Sequence, residues 1–369
     1  MGVNKMVTTS GAVAQIVQHL APGGLETMVL NMQQASPWST HVIALEGDAS
    51  SAFAHWSRLP LGSGELHFAD KGQGVTPTLC WQLARLFKQA RISVVHTHHL
   101  GPLLYGGLAA RLAGCRLVHT EHDAWYLDSP RARALAGTAL RMLRPTLIAD
   151  ADEVAKGLRR WFPWAQPTVI RNGIDTTRFT PGDRHSARQR LALPLHGPLL
   201  GCAARLEPVK DHALLLRALL MLPDEVHLAL AGDGSLQNAL RDQAVHLGLA
   251  HRVHFLGQVE QMPHFYRALD LMVLPSLAEG LPLTLLEAQS CNTPVMAFDV
   301  GGCAEAICPD TGYLLAQRSD HALATALRAA LQHPRGGAPR HFVLHHGSEQ
   351  AMVAAYGRTY FPRIEEQWA

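Results

Sequence analysis

The chain has 369 residues, of which 32 are basic and 30 acidic, and 47% are hydrophobic. This length predicts about two domains, and the composition is that of an ordinary globular protein. It contains no run of about 18 uncharged apolar residues, so we predict no membrane-spanning helix. Residues 1–15 lack a basic-then-apolar signal pattern, which favours a cytoplasmic location. We expect no nucleic-acid partner.

The charge is unevenly distributed along the chain. Residues 1–172 hold 16 basic and 11 acidic residues, whereas the remainder holds 16 and 19. A basic N-terminal half favours an anionic partner or membrane surface there, although an ordinary solvated surface has the same composition. The six cysteines show no zinc-ribbon or redox spacing, so we expect reduced, structural thiols.

Strands and helices alternate through the first half. We predict strands at 12–19, 40–45, 92–96, 116–120, 146–149 and 168–171, and helices at 26–34, 79–89, 101–112, 131–144 and 153–161. Such alternation predicts a parallel sheet with helices on both faces. The first strand leads through Gly23 and Gly24 into a helix, so the backbone there either approaches a ligand or simply turns tightly.

Two features of this half have alternative interpretations. Three histidines, His96, His98 and His99, lie at the end of the third strand. Their spacing matches no metal site, and we expect satisfied or ligand-facing side chains. The helix at 131–144 carries four arginines, which suit an anionic membrane surface, an acceptor groove or a plain solvated face.

The pattern restarts after a polar, proline-rich segment. We place the boundary at residue 175, giving domains of 1–175 and 176–348, with a last helix at about 349–369. Predicted strands lie at 199–203, 226–231, 253–256, 271–274, 294–298 and 312–314, and helices at 186–191, 211–220, 236–247, 262–268, 283–289, near 304 and at 321–331. Two doubly wound domains place a ligand in the cleft between them, at the carboxyl ends of the strands.

The stretch 270–288 carries the clearest chemical signal. A buried strand leads into a loop with Glu279, and Pro282 then starts a helix with Glu287. The start of a helix at a strand's carboxyl end binds anions, and two carboxylates beside it suit sugar hydroxyls. Arg205 and Lys210, in another strand-to-helix loop, add fixed positive charge without a metal.

Together these motifs resemble family 4 of the retaining glycosyltransferases. The motifs, in the family's order, are 23–26 (Gly-Gly-Leu-Glu), 120–123, 169–175, 205–210, 231–234, 255–257, the pair Glu279 and Glu287 eight residues apart, and 301–302. The resemblance covers nearly the whole chain. It implies the GT-B fold, in which two Rossmann-like domains face each other across a cleft.

The resemblance also implies a role for each matching residue. Arg205 and Lys210 would hold the diphosphate of the donor, Glu287 its ribose, and Glu279 and His122 the sugar that is transferred. The other implied donor contacts are Gly23, Gly24, Gly234, Gly257, Gly280, Leu281 and Leu283. The last helix, with Met352, Val353 and Tyr356 as its apolar stripe, would return to the first domain.

The implied reaction is transfer of a sugar from a nucleotide diphosphate sugar, most commonly a UDP-sugar, with retained configuration. It needs no cofactor, and we expect no metal, because we assign no Asp-x-Asp metal motif. A glycan or lipid-linked acceptor in cell-surface polysaccharide assembly, at the inner face of the membrane, follows from the resemblance alone. Two alternatives stay open: a nucleotide-sugar epimerase of the same fold, and a non-catalytic nucleotide- or glycan-binding protein.

Overall fold

A computed structural model describes residues 11–56 and 65–362 of the chain. They form two compact units: the first runs to Asn172 and resumes at Glu349, and the second is Gly173–Ser348. The division lies three residues before the predicted boundary at 175. Residues 1–10, and the predicted last helix beyond residue 362, lie outside the described part.

The first unit is a parallel sheet of seven strands covered by helices. The strand order is β3-β2-β1-β4-β5-β6-β7, so the order reverses between β1 and β4. The strands are β1 Ala12–His19, β2 Thr40–Glu46, β3 Glu65–Phe68, β4 Ile92–His98, β5 Arg116–Glu121, β6 Thr146–Ala149 and β7 Thr168–Val169. The helices are α1 Gly24–Ala35, α2 Ala49–His55, α3 Thr78–Gln89, α4 Leu100–Ala113, α5 Pro130–Leu143 and α6 Asp152–Trp161, with a 3-10 helix at Trp125–Asp128 and the C-terminal helix Glu349–Tyr360.

The second unit repeats this architecture with six parallel strands. Their order is β10-β9-β8-β11-β12-β13, which reverses between β8 and β11. The strands are β8 Leu199–Ala203, β9 His227–Ala231, β10 Val253–Gly257, β11 Leu271–Leu274, β12 Val295–Phe298 and β13 Tyr313–Leu315. The helices are α7 Arg184–Arg190, α8 His212–Leu220, α9 Gln237–His246, α10 Met262–Ala268, α11 Leu283–Ser290, α12 Cys303–Ala306, α13 Asp320–Gln332 and α14 Pro339–His346, and a 3-10 helix spans Pro208–Lys210.

The central strands are buried on both faces, as continuous apolar runs predict. Strands β8 and β11 are buried along their whole length, and the second unit's core packs leucines of α8 and α13 against them. The predicted fold class, two doubly wound parallel α/β sheets, is confirmed. All six cysteines are buried free thiols, as expected.

Three short elements escaped the sequence prediction: α2, β3 and α14. Each has eight residues or fewer, so none shows enough turns or alternations to produce a clear period. Strand β4 also runs two residues further than predicted, to His98. The polar residues His96, Thr97 and His98 continue the strand because their side chains are hydrogen-bonded in the interior.

The C-terminal helix, α15, is Glu349–Tyr360 and belongs to the first unit. Its predicted stripe of Met352, Val353 and Tyr356 is buried, and Tyr360 extends it. The Tyr360 ring meets Trp38 edge-on, with 5.5 Å between the ring centroids. Within the described residues, no helix is both long and apolar enough to span a membrane.

Candidate functional site

Both sheets place loops with polar residues at the point where the strand order reverses. In an open parallel sheet, ligands bind outside the carboxyl ends of the strands at this reversal. In the second unit, the loops after β8 and β11 carry Lys210 and Glu279. In the first unit, the loop after β1 carries Gly23, and β4 ends at His98.

Lys210 and Glu279 meet at the reversal of the second sheet. The Lys210 Nζ donates to Glu279 Oε1 at 2.6 Å, and the two side chains are 18% and 8% exposed. Lys210 ends the 3-10 helix after β8, and Glu279 lies in the short loop after β11, so residues 69 positions apart are joined by the fold. A charge pair this buried keeps both ionised groups together in a low-dielectric site.

Glycines set the backbone of these loops. Gly301 has φ +52°, and a Cβ there would lie 1.7 Å from the carbonyl oxygen of Glu279. The Gly302 N–H donates to the Gly280 carbonyl at 2.9 Å. The glycine pair therefore fixes the Glu279 loop through close backbone contact, a role that only a residue without a side chain can fill.

Gly234, predicted to contact the donor, lies against the backbone of the Arg205 loop. A Cβ at Gly234 would lie 2.6 Å from the carbonyl oxygen of Leu206, and the Leu206 N–H donates to the Asp233 carbonyl at 2.9 Å. Gly257 has φ +64° and open space where a side chain would project. The structure thus gives Gly234 a packing role and leaves room beside Gly257.

Arg318, which the sequence analysis did not single out, joins the two loops. Its guanidinium donates to Asp211 Oδ2 at 2.6 Å and to the Ser276 carbonyl at 2.8 Å, and it stacks over the Phe298 ring at 4.6 Å. Asp211 in turn caps α8 by accepting from the Leu214 N–H. No local motif marks Arg318, because its partners lie 42 and 107 residues away.

Glu287 lies on α11, half-buried, beside a tyrosine that the sequence analysis also missed. The Tyr266 hydroxyl donates to Glu287 Oε2 at 2.5 Å. Burial raises the pKa of Glu287 from 4.5 to about 7, against the lowering effects of this hydrogen bond and of the positive charge of Arg178. A carboxyl group with this pKa changes its charge near neutrality.

The start of α11 and the residue Arg205 are open to a ligand. Helix α11 begins at Leu283, with Pro282 preceding it in an extended conformation; Gly280 is partly exposed and Leu281 is buried. The Arg205 side chain is exposed and makes no hydrogen bond or ion pair in the described part of the chain, although its backbone carbonyl accepts from the Glu207 N–H at 2.8 Å. Its charge is therefore available to an anion.

His122, the predicted sugar contact, is buried in the first unit and bonded through both ring nitrogens. Its Nδ1 lies 3.2 Å from Asp150 Oδ2, and its Nε2 lies 2.9 Å from His98 Nδ1. The Asn172 amide also donates to Asp150 Oδ2 at 2.9 Å. Burial lowers the pKa of His122 to about 3, so the ring is neutral at pH 7, with one nitrogen donating and the other accepting.

The hydrogen bonds of His122 continue to the C-terminal helix. His98 Nε2 lies 2.8 Å from Gln15 Oε1, and Gln15 Nε2 donates to the Tyr360 hydroxyl at 3.1 Å. The Tyr360 hydroxyl also lies 2.7 Å from His96 Nδ1. This buried network fixes the orientation of the His122 ring through residues on β1, β4 and α15.

The sequence contains one Asp-x-Asp triplet, Asp150-Ala151-Asp152, which our expectation of no such motif overlooked. Each of its two carboxylates already has partners within the protein. Asp150 is 1% exposed and bonded to His122 and Asn172, while Asp152 starts α6 and pairs with Arg171. The two side chains therefore serve different structural interactions.

Asp123, the last residue of the motif at 120–123, is a further acidic group, and the sequence analysis assigned it no role. Burial, reinforced by the negative charges of Glu121 and Asp150, raises the pKa of Asp123 to about 7. Its Oδ1 is buried with no hydrogen-bond partner among the described residues, and its Oδ2 lies 3.9 Å from His99 Nδ1. A perturbed carboxyl group at a strand's carboxyl end is a candidate for proton transfer.

Gly23 and Gly24 begin α1 in the first unit. Gly23 is the N-cap in an extended conformation, and a Cβ there would lie 2.3 Å from Glu26 Oε2. The Glu26 side chain thus closes over the helix start, where its negative charge is favourable.

A surface pocket in the second unit lies at the opposite, amino-terminal ends of the strands, beside Pro198, Asp270 and Pro294. Its main polar group is already engaged, since Asp270 accepts from Arg188 at 2.8 Å and from the Leu199 N–H at 2.7 Å. We therefore assign this pocket a structural role.

Two family models match the chain. The model described as "Glycosyltransferase Family 4" matches residues 22–178, and that described as "Glycosyl transferases group 1" matches residues 183–343.

Curated relatives agree with these matches. A D-inositol 3-phosphate glycosyltransferase of Rhodococcus erythropolis is 30% identical over 318 residues, which cover 76% of this chain and 72% of the relative. D-inositol 3-phosphate glycosyltransferase 2 of Catenulispora acidiphila is 30% identical over 269 residues, covering 65% of this chain and 63% of the relative. The chain thus spans less than two thirds of the length of some of these relatives.

The fold is shared with a solved structure. Anabaena Alr3699/HepE, in complex with UDP and glucose, has a TM-score of 0.81 at 21% identity, covering 94% of this chain and 98% of that chain. At this level of identity the likeness shows the fold alone, and it confirms the GT-B fold class.

Proposed function

The chain belongs to the group 1 glycosyl transferases, and on that premise we propose that it transfers a hexosyl group from a UDP-sugar to an acceptor hydroxyl with retained configuration. The observation that supports this most strongly is the Lys210–Glu279 pair, 2.6 Å apart at the point where the strand order of the second sheet reverses. A cation and a carboxylate at this point suit the diphosphate and the sugar of one donor.

The diphosphate is proposed to bind at Arg205, Lys210 and the start of α11. Arg205 is exposed and can contact phosphate oxygens directly, and Lys210 is held beside them by Glu279. The backbone N–H groups in the first turn of α11 add partial positive charge. As the sugar–phosphate bond breaks, the negative charge that develops on the leaving diphosphate is stabilised by groups already in place.

The ribose is proposed to bind at Glu287. A carboxylate accepts hydrogen bonds from both hydroxyls of a ribose, and the Tyr266 hydroxyl keeps the Glu287 side chain in position. Because the Glu287 pKa is about 7, the carboxylate form that accepts both hydroxyls becomes scarce at lower pH.

The transferred sugar is proposed to contact Glu279 and His122. Departure of the diphosphate leaves an oxocarbenium-like centre, and the acceptor hydroxyl attacks from the same face. A phosphate oxygen of the leaving group takes the hydroxyl proton, so no covalent protein intermediate is required. The positive charge that this reaction needs is supplied by Arg205 and Lys210, and we propose that transfer is independent of a metal.

The acceptor is proposed to be a glycan or lipid-linked glycan of a cell-surface polysaccharide. The name of the curated relatives, D-inositol 3-phosphate glycosyltransferase, supports a second candidate, a phosphorylated inositol. The basic N-terminal half is compatible with either, because a phosphate is present in lipid-linked glycans as well as in inositol phosphate.

Contact with an anionic membrane is proposed for α5 of the first unit. Met142 and Leu135 are 76% and 47% exposed on this helix. Arg133 and Arg141 stack over Trp161 and Trp164, at 4.0 and 4.6 Å from the ring centroids. Exposed apolar side chains among stacked arginines suit the interface of an anionic bilayer.

The direct test is an assay of purified protein with a panel of nucleotide diphosphate sugars, each with glycan, lipid-linked and inositol 3-phosphate acceptors. We expect transfer from a UDP-sugar, a product with the donor's anomeric configuration, and no dependence on added metal or on EDTA. Isomerised donor in the absence of acceptor would identify an epimerase instead. Tight donor binding without turnover on any acceptor would identify a binding protein.

A further inference from the structure

A cluster of two histidines and one glutamate lies at the edge of the first sheet, outside the proposed transferase site. His41 is on β2, and Glu65 and His67 are on the neighbouring edge strand β3. His41 and Glu65 are partners in the register of the two strands. Glu65 and His67 are two residues apart, so they project from the same face of the sheet as His41.

Three donor atoms of this cluster converge. His41 Nδ1 lies 3.1 Å from His67 Nε2, Glu65 Oε2 lies 3.3 Å from His41 Nδ1, and Glu65 Oε2 lies 3.5 Å from His67 Nε2. In each ring a single nitrogen, Nδ1 of His41 and Nε2 of His67, contacts both of the other groups. Among the described residues, this is the one group of at least three His, Cys, Asp or Glu whose ligand atoms all lie within 4.8 Å of one another.

The triangle has the dimensions of a zinc coordination face. Zinc binds histidine nitrogen and carboxylate oxygen at about 2.0–2.2 Å, so two ligands of a tetrahedral ion are about 3.3–3.5 Å apart. The three observed separations lie within or just below this range. A point about 1.9 Å from all three atoms exists in their plane, and an ion slightly outside the plane reaches normal bond lengths.

The groups also have the chemistry and accessibility of a metal site. Neutral imidazoles and a carboxylate are the ligand set of several three-residue zinc sites, which leave a fourth position for water. The His41 and His67 side chains are 9% and 25% exposed, whereas Glu65 is 69% exposed, so an ion can enter from the side of Glu65.

From this geometry we infer that His41, Glu65 and His67 bind a Zn²⁺ ion that fastens the edge strand β3 to β2. The site is separate from the proposed transferase chemistry. His41 is the second residue of β2, so it lies about 16 Å along the strand from the carboxyl end at Glu46, where ligands of the sheet bind. The inference therefore goes beyond the proposed function and does not depend on it.

The second sheet supplies a matched control. His227 on β9 and His254 on β10 form a similar pair across neighbouring strands, with His227 Nδ1 3.0 Å from His254 Nε2 and the rings stacked at 25°. The His41–His67 rings are stacked at 21°. The His227–His254 pair belongs to no three-residue ligand group in the described part of the chain. It therefore serves as a control for the zinc affinity of two stacked histidines that lack a carboxylate beside them.

The test is zinc binding by the purified full-length protein after removal of metals with a chelator. We expect one Zn²⁺ per chain by calorimetry, and a rise in melting temperature when Zn²⁺ is added. His67→Ala should weaken binding about 100-fold or more, because even the loss of a residue that only orients a zinc ligand costs about 10–100-fold. Glu65→Gln should weaken it at least about 10-fold, and this exposed, conservative change leaves the fold intact.

His254→Ala is expected to leave the affinity of the protein for the one tightly bound Zn²⁺ unchanged. Absence of a stoichiometric ion in the wild-type protein would overturn the inference. So would equal affinities of the wild-type and Glu65→Gln proteins, or equal losses in His254→Ala and His67→Ala, since either result would mean zinc binds to surface histidines in general. Calorimetry reads these outcomes without any transferase activity.

Discussion

Replacing Glu287 by glutamine is expected to stabilise the ligand-free protein at alkaline pH but not at acidic pH. Burial raises the pKa of Glu287 from 4.5 to about 7 in the folded protein, so the folded state binds this proton more tightly than the unfolded state. The stability that the proton contributes is complete below pH 4.5 and is lost as the pH rises through 7. Glutamine resembles the protonated carboxyl group and has no charge to desolvate.

The magnitude follows from the size of the pKa shift. Between pH 4.5 and 7 the wild-type protein loses about 3 kcal/mol of unfolding free energy at this residue, at about 1.4 kcal/mol per pH unit. This is an upper value, because Glu287 is only half-buried. The Glu287→Gln protein avoids this loss, and at about 2–4 °C per kcal/mol its melting temperature at pH 8 should exceed the wild-type value by up to about 10 °C.

The assay is thermal unfolding of both proteins, without nucleotide, from pH 5 to pH 8. All other titrating groups are common to the two proteins, so their contributions cancel in the difference between melting temperatures. Tyr266→Phe is a second arm: it removes a hydrogen bond that lowers the Glu287 pKa, so the loss of stability should extend to higher pH. A difference between wild type and Glu287→Gln that is the same at pH 5 and pH 8 would refute the reasoning.

Three further predictions concern the proposed donor site and the membrane. Lys210→Ala should lower turnover about 100-fold or more, and it should destabilise the fold by about 3–5 kcal/mol because Glu279 is left buried without its partner. The double variant Lys210→Met/Glu279→Gln should regain stability but not turnover. Recovery of turnover in the double variant would contradict a role for Lys210. The affinity for UDP, measured by calorimetry, should fall about tenfold per pH unit below pH 7 in the wild type but not in Glu287→Gln, because only the carboxylate accepts both ribose hydroxyls. If the affinities of the two proteins depended equally on pH, Glu287 would not be the ribose contact. Sedimentation with anionic vesicles should decrease with salt and in Met142→Glu, and equal binding to neutral vesicles would exclude the proposed electrostatic contact.

Much of the fold could be predicted because its signals are local. A run such as β11 is apolar over four consecutive residues, and the change from strand to helix after Pro282 is visible within about ten residues. Alternating strands and helices then leave few topologies, since crossovers between parallel strands are right-handed. Short elements without a full period, such as β3, gave no such signal.

The candidate site was predictable only in part. Lys210 and Glu279 were singled out because they stand in strand-to-helix loops, and Glu287 because it lies on the helix that follows the second of these loops. Their partners were not found, because Tyr266 and Arg318 lie on other elements and become neighbours only when the sheet assembles.

The sequence by itself determined the two parallel α/β domains, the family and the residues that follow the strands, because each of these depends on the order and spacing of neighbouring residues. Only the tertiary structure decided which side chains form hydrogen bonds and ion pairs with one another. It shows that Lys210 pairs with Glu279, that both ring nitrogens of His122 are engaged by Asp150 and His98, and that three ligand atoms meet across β2 and β3. Pairing, burial and pKa depend on distances between residues far apart in the chain, and those distances are set by the packing of the sheet.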